Sequence, residues 1–379
     1  MKFAFTDEQQ MLRDTSQAFL ADKSTSAAVR AACVSPERHD AALWKSICEE
    51  MYWQGILIPE HADGLGLGWV EMAIVLEAAG ERLLTSPLFA VAQSTVALLG
   101  CPASEMRDLL LSSLAAGNVM SLAMGNQSGG WDSVGVMANE TSTTTVLSGE
   151  ARFVPFGFAA AKLLVVARDA SNTLTLWVVD PQQDGVFVEP TPTMDQTRPM
   201  ATVRLEQAAV TSDQRLASDA DELVSDTLSL SRILTVADQV GVAQASLDIS
   251  VDYTKERSQF DRTIASFQAI KHKAADMMLK VESARSLLYY AACTVDAWLA
   301  GEVDRAALHE AACMASACAS DAAFFNAGSG IQMHGGVGIT EEYDIQLYFK
   351  RARATESYLG RPSEMREAIA CQLLDGDVA

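Results

Sequence analysis

Apolar residues first recur every three or four positions, then alternate, then return to the helical spacing. Ile233, Val236, Val240, Ala243 and Leu247 form one buried stripe, and Ile270, Ala274, Met277, Val281, Ala284 and Leu288 form another. Two long amphipathic helices are predicted, the first beginning at Ser231 and the second running to about residue 290, each needing a large surface to pack on. A third is expected over 309–325 from Ala311, Met314, Cys318, Ala322 and Phe325, and a further one starts within 342–353. Near the N-terminus, Thr6 with Gln9 three residues on gives a capping box ahead of Met11, Leu12, Phe19 and Leu20. A helix ending at Gly55 leads through a proline- and glycine-rich loop into a long helix before Pro87.

After Gly117 the period drops to two. The runs 119–124, 143–147, 162–167, 174–179, 186–188 and 202–205 are short, β-rich and bounded by turn residues. Six such runs indicate a small barrel or sandwich. The fold class read from the pattern is α+β: an N-terminal all-α domain over 1–118, a central β-barrel or sandwich domain over 119–215, and a C-terminal four-helix bundle over 216–379.

Composition narrows the classes. The 379 residues are 49% hydrophobic, enough for a substantial core, and carry a formal charge of −21 from 28 basic and 49 acidic residues. With no basic run, nucleic acid and anionic membrane surfaces are not expected partners. Seven cysteines without metal-ligand spacing read as core thiols in a reducing compartment. The opening MKFAFTDEQQM turns polar too early for a signal peptide, and no stretch approaches a membrane span, so a cytosolic location is expected.

Between the two long helices lies ERSQFDRTIASFQAIKH, 256–272. Arginine with an amide and an aromatic ring at a helix end suits a phosphorylated ligand, since the guanidinium offers two parallel hydrogen bonds. A salt-bridged helix terminus would look the same. The run resembles the ERxQFGxxIxxFQ signature of the acyl-CoA dehydrogenase family, and QMHGGVGIT at 332–340 matches a second motif at the family's spacing. The proline-glutamate, glycine-rich loop at 59–68 and MDQTRPMATVRLEQAAV from Met194 extend the resemblance over nearly the whole chain.

The resemblance implies FAD as cofactor, an acyl-CoA substrate desaturated between C2 and C3, and an electron-transfer flavoprotein or similar acceptor. Carried over by residue, Arg257, Gln259, Phe260, Gln268, Gln332, Gly335 and Gly336 are the FAD contacts, made across a subunit interface. His334, with no catalytic partner in sequence, is read as structural.

The catalytic carboxylate is missing. The family's IYEGT-like turn aligns with Ser357-Tyr358-Leu359-Gly360-Arg361, so the glutamate position holds Leu359, and the alternative position before Arg232 holds Ser231. Neither can accept the C2 proton. Glu356 is the nearest carboxylate. The family's TEPxAGSD-like loop is replaced by 124–130, its WITN-like strand is matched only by Phe153-Val154-Pro155, and Arg361 stands where a threonine usually follows the turn. This pattern resembles the base-lacking subunit of heteromeric acyl-CoA dehydrogenases of the steroid side-chain type. Such a subunit completes the FAD site while a homologous partner supplies the base, within a heterotetramer. A self-sufficient dehydrogenase using Glu356 and a non-enzymatic scaffold are the competing readings.

Overall fold

A computed structural model describes residues 5–126, 130–131, 133–140 and 144–374. Residues 1–4, part of the run read as leaderless, lie outside the described residues, as do Thr143 and the centre of the 124–130 loop. The order of elements is helical, then strand, then helical. Six helices come first: α1 (Asp7–Lys23), α2 (Ser26–Val34), α3 (Ala41–Ser46), α4 (Trp69–Glu81), α5 (Leu88–Leu99) and α6 (Glu105–Ala115). Eight strands follow: β1 (Met120–Ala123), β2 (Val136–Glu140), β3 (Thr145–Pro155), β4 (Lys162–Arg168), β5 (Leu174–Val179), β6 (Val186–Thr191), β7 (Met200–Val210) and β8 (Arg215–Ala217). The chain then forms α7 (Asp221–Glu256), the minimal strands β9 (Ser258–Gln259) and β10 (Arg262–Thr263), α8 (Gln268–Leu299), α9 (Arg305–His334), α10 (Ile345–Glu356) and α11 (Pro362–Leu374). The expected capping box at Thr6 and Gln9 opens α1.

Packing divides the chain into two units that do not follow its order. One comprises 1–31, 69–84 and 232–379, and the other 32–68 and 85–231. Thus α1 and α4 pack with the C-terminal helices, while α3, α5 and α6 pack with the strands. The helical N-terminal third is therefore shared between two cores, which periodicity along the chain cannot show.

In the second unit the strands run β6-β7-β3-β2-β4-β5-β8, with β1 paired to β4. β1 and β2 follow one another along the same edge of β4, both parallel to it, and the other pairings are antiparallel. The two halves close on one apolar core that takes Leu163 and Val165 from β4, Trp177 from β5, and Leu147, Val203 and Leu205 from β3 and β7. This is the expected sandwich or barrel. β2, whose run VMANE alternates only weakly, and the three-residue β8 were not among the six runs. β3 continues past two register shifts to Pro155, so the Phe153-Val154-Pro155 match is the end of that strand.

The first unit is organised where α4 crosses α7. A Cβ on Gly80 would lie 2.2 Å from the Asp238 carbonyl oxygen, and one on Gly241 would lie 2.1 Å from that of Glu77. The two backbones touch, which only glycine permits. Asp238 pairs with Arg351 of α10 at 2.7 Å with both side chains buried. Gln239 donates to Ser320 and to the Thr355 carbonyl, and Asn326 of α9 donates to the carbonyls of Ala243 and Met277. The 309–325 stripe underestimates α9, which runs for thirty residues.

Two glutamates of α4, Glu77 and Glu81, share this interior. Arg285 of α8 binds Glu77 at 2.8 Å, and the Tyr289 hydroxyl donates to Glu77 at 2.7 Å. Among the described residues the Glu81 carboxylate accepts only from the Gln17 amide of α1. Burial, with the neighbouring Glu77 charge next, pushes the Glu81 carboxyl up to about 7 from an ordinary 4.5. A carboxyl whose pKa rises on folding gives stability that is fully present below its unfolded value and lost as pH climbs through about 7. Glu81→Gln, uncharged throughout, is therefore expected to melt higher than the parent above pH 7, with the gap closing towards pH 5. Melting temperatures of both proteins between pH 5 and 9 check this.

Candidate functional site

The helix-to-helix connection at 257–267 is a hairpin. Gln259 pairs with Arg262 and Ser258 with Thr263, and the two-residue tip is Phe260 and Asp261, with φ of 54° and 59°. Two consecutive left-handed residues make the turn whose twist matches a two-stranded ribbon. Aspartate tolerates that conformation where the family signature has glycine. The Arg257 backbone is fixed on both sides: its N–H donates to Tyr253 at 2.9 Å, and its carbonyl accepts from Ile264 at 2.8 Å. Its side chain is exposed and forms no ion pair among the described residues, so it does not close a salt-bridged helix terminus.

Phe260 stands 86% exposed, edge-on to Phe267 at 6.2 Å. The Arg262 guanidinium lies 4.0 Å from the Phe267 ring centre. Gln268 is the exposed first residue of α8, and the Gln259 amide donates back to the Ser258 carbonyl.

The second motif is not the loop that its glycines suggest. α9 continues through Gln332 and His334 and stops at Gly335, whose φ is 65°. Upstream of it Gly330 serves packing: a Cβ there would lie 2.6 Å from Ile345 Cδ1. Gln332, Gly335 and Gly336 are exposed, and a Cβ on either glycine would meet nothing within 4 Å among the described residues. At Gly336, where φ is not positive, nothing within the described chain requires glycine.

Aromatic packing joins the two motifs. His334 stacks on Tyr253 with centroids 4.1 Å apart, and Tyr343 meets both rings edge-on. His334 Nδ1 lies 2.7 Å from the Gly330 carbonyl, and burial lowers its pKa. A buried, neutral ring stacked between helices is the structural part assigned to it. Because Tyr253 is one turn before Arg257 and His334 immediately precedes Gly335, hairpin and glycine pair sit at the same end of this unit. Nothing in the sequence marked Tyr253 or Tyr343. Gln332 also borders a groove of about 460 Å³, where the Lys273 and Lys280 amines lie 5.1 and 4.9 Å from the Phe325 ring centre.

At the turn after α10, Leu359 is completely buried with φ of 65°, and Gly360 follows with φ of 120°. Arg232 Nε donates to the Leu359 carbonyl at 2.9 Å. Ser231, also fully buried, precedes that arginine in α7. Burial lowers the Arg232 pKa, opposed by Cys313 and Glu364. The Arg361 N–H is taken by Glu364 at 2.8 Å. Glu356, the last residue of α10, is ion-paired to Arg353. In the 124–130 loop, Gly125 bridges to Arg152 and Asn126 bonds Ser133 and Gly130, whereas Gln127, Ser128 and Gly129 lie outside the described residues.

Helical segments before and after a small β-core along the chain, with two motifs at one end of the helical unit, match the element order that the resemblance implies for an acyl-CoA dehydrogenase. The acyl-CoA dehydrogenase N-terminal domain matches residues 6–118 and the C-terminal domain 222–374. Acyl-CoA dehydrogenase IpdE2 of Mycolicibacterium smegmatis is 31% identical over 368 residues, covering 97% of this chain and 99% of its own. One chain of the ChsE4-ChsE5 complex from Mycobacterium tuberculosis superposes with a TM-score of 0.89 at 26% identity over the full length of both. The Tcur3481-Tcur3483 steroid ACAD gives 0.87 at 27% over 98% of each chain. The chain belongs to the acyl-CoA dehydrogenase family. No helix of the described residues is long and apolar enough to cross a membrane.

Since no atom of the described residues would meet a Cβ at position 336, Gly336→Ala should leave the unfolding free energy of the isolated chain within about 0.5 kcal/mol of the parent. Thermal unfolding reads this directly, and a large loss would mean that the glycine serves the fold.

Proposed function

We propose that this chain is the base-lacking subunit of a heteromeric, FAD-dependent acyl-CoA dehydrogenase, working in the cytosol on a steroid-derived acyl-CoA. The observation that carries the reading is the turn at 357–361, in which a fully buried Leu359 occupies the base position while Ser231 occupies the alternative. General-base removal of the C2 proton needs a carboxylate, and neither residue is one. Glu356 is a poor substitute, because it is committed to Arg353 at the end of α10.

The cofactor-side residues fit FAD. Arg257 offers an exposed guanidinium without a partner among the described residues, suited to a diphosphate. Phe260 and Gln259 flank it on the hairpin, Gln268 begins the next helix, and Gln332, Gly335 and Gly336 present an unobstructed backbone at the same end. FAD held by these residues would supply an acceptor for the C3 hydride, with an electron-transfer flavoprotein or similar protein as the onward acceptor. The residues of this chain would bind and orient the cofactor, while a homologous subunit contributes the base. A scaffold role leaves the exposed Arg257 and the unconstrained Gly336 unexplained. The heteromeric character is supported by likeness to the ChsE4-ChsE5 complex, and the steroid class by likeness to the steroid ACAD.

Arg257→Ala should lose a charge-assisted, bidentate contact costing roughly 1.5–3 kcal/mol, seen as lower flavin content in an otherwise normally assembled particle. Full FAD content in that variant would refute the assignment.

General-base catalysis typically contributes about 10²- to 10⁴-fold. The purified single chain should therefore show negligible turnover with straight, branched or steroid acyl-CoAs and an electron acceptor, and Glu356→Gln should change nothing. Turnover should appear on co-expression with a homologous subunit bearing a glutamate at either base position, in a particle holding fewer FAD molecules than subunits. Robust turnover by the single chain would end the proposal.

A further inference from the structure

The two motifs at the cofactor end meet through one side chain. Tyr253 lies one turn before Arg257 on α7, and the Arg257 N–H donates to its carbonyl at 2.9 Å. Its ring lies on that of His334, inclined by only 21°, and its hydroxyl donates to the His334 carbonyl at 3.4 Å. Among the described residues this is the one hydrogen bond between 253–268 and 332–343. Tyr253 is thus tied to Arg257 by the last turn of α7, and to Gly335 by the peptide that follows His334.

The glycine pair needs such a tie. A carbonyl at the end of a helix has no donor within that helix, and glycine has more backbone freedom than any other residue. Loose N–H groups would have to be ordered by each ligand that binds, at a cost in affinity. Three contacts remove that freedom. The Tyr253 hydroxyl holds the His334–Gly335 peptide, and the bond from His334 Nδ1 to the Gly330 carbonyl holds the ring. Gly338 folds back so closely that a Cβ on it would lie 2.9 Å from His334 Cβ. Tyr343 closes the edge of the stack, and its neighbour Asp344 is fastened to Arg30 and Ser26 of α2 at 2.7 and 2.6 Å. Tyr253 itself is half-buried, so water could satisfy its hydroxyl and the fold alone does not demand the bond to His334.

We propose that Tyr253 is a positioning residue for the cofactor, setting the Arg257 guanidinium and the Gly335-Gly336 backbone at the spacing of one diphosphate. The inference rests on the FAD binding proposed above and adds to it a residue outside the set of cofactor contacts.

The test is a double-mutant cycle on FAD affinity in the co-expressed complex, with Tyr253→Leu and Arg257→Ala. Tyr253→Leu should weaken FAD binding roughly 3- to 10-fold, through loss of one ring stack and one neutral hydrogen bond. Tyr253→Phe keeps the stack and should stay within about 3-fold of the parent. In the Arg257→Ala background, Tyr253→Leu should cost less than about 2-fold, since no guanidinium is left to align. The melting temperature verifies that each variant folds. Packing alone predicts equal losses in both backgrounds, and that result, or full FAD affinity in Tyr253→Leu, would overturn the proposal. Hydrogen exchange on the flavin-free single chain reads the same tie without cofactor: Tyr253→Leu should speed the amides of 335–339 several-fold and leave those of 310–325 unchanged. Unchanged exchange at 335–339 would also overturn it. A parent complex without FAD would refute the proposed function and this inference with it, whereas a flavin-replete parent with unmoved variants would refute the inference alone.

Discussion

The contact of α4 with α7 through Gly80 and Gly241 is the constraint on which the helical unit depends. With the backbones touching, α7 is held too closely for a side chain to intervene, and Asp238 is sealed beneath α4. A sealed carboxylate must be paired, since an uncompensated buried charge costs several kcal/mol. Arg351 supplies the partner and thereby fixes α10. From the same helix, Gln239 reaches the Thr355 carbonyl and Arg232 the Leu359 carbonyl. Three side chains of α7 thus determine where α10 ends and how the following turn is presented.

That arrangement holds the turn through bonds that do not involve the side chain at 359. Arg232 binds a backbone carbonyl, Glu364 takes the Arg361 N–H, and neither bond depends on the side chain at 359. Leucine there is buried at positive φ, an unfavourable conformation that the surrounding bonds sustain.

Much of this was legible in the sequence because it rests on periodicity and local motifs. The change from helix to strand and back appeared at Gly117 and again before α7, and the ERSQF run marked the connection between the two long helices. Other features depended on contacts distant in sequence. The apolar stripe predicts a helix over 309–325, yet α9 extends through Gln332 and His334, with Gly330 inside it where Ile345 leaves no room for a side chain. The regrouping of α1 and α4 with the C-terminal helices has no local signature. Arg257, Gln268 and the glycine pair stand out in sequence as motif positions and His334 as a structural residue, whereas the packing of Tyr253, His334 and Tyr343 that joins the two motifs depends on contacts distant along the chain.

The hairpin tip has a consequence for how quickly and tightly a partner can be held. A loop of two residues, both locked in the left-handed region, has almost no conformational freedom to surrender. Phe260 is therefore displayed much as a rigid anchor on a preformed binder is, and little of the free energy from covering its ring is spent on ordering the chain that carries it. Whatever covers that ring meets a surface already in its bound shape, so association at this end should resemble the fitting of rigid bodies more than the folding of a flexible segment.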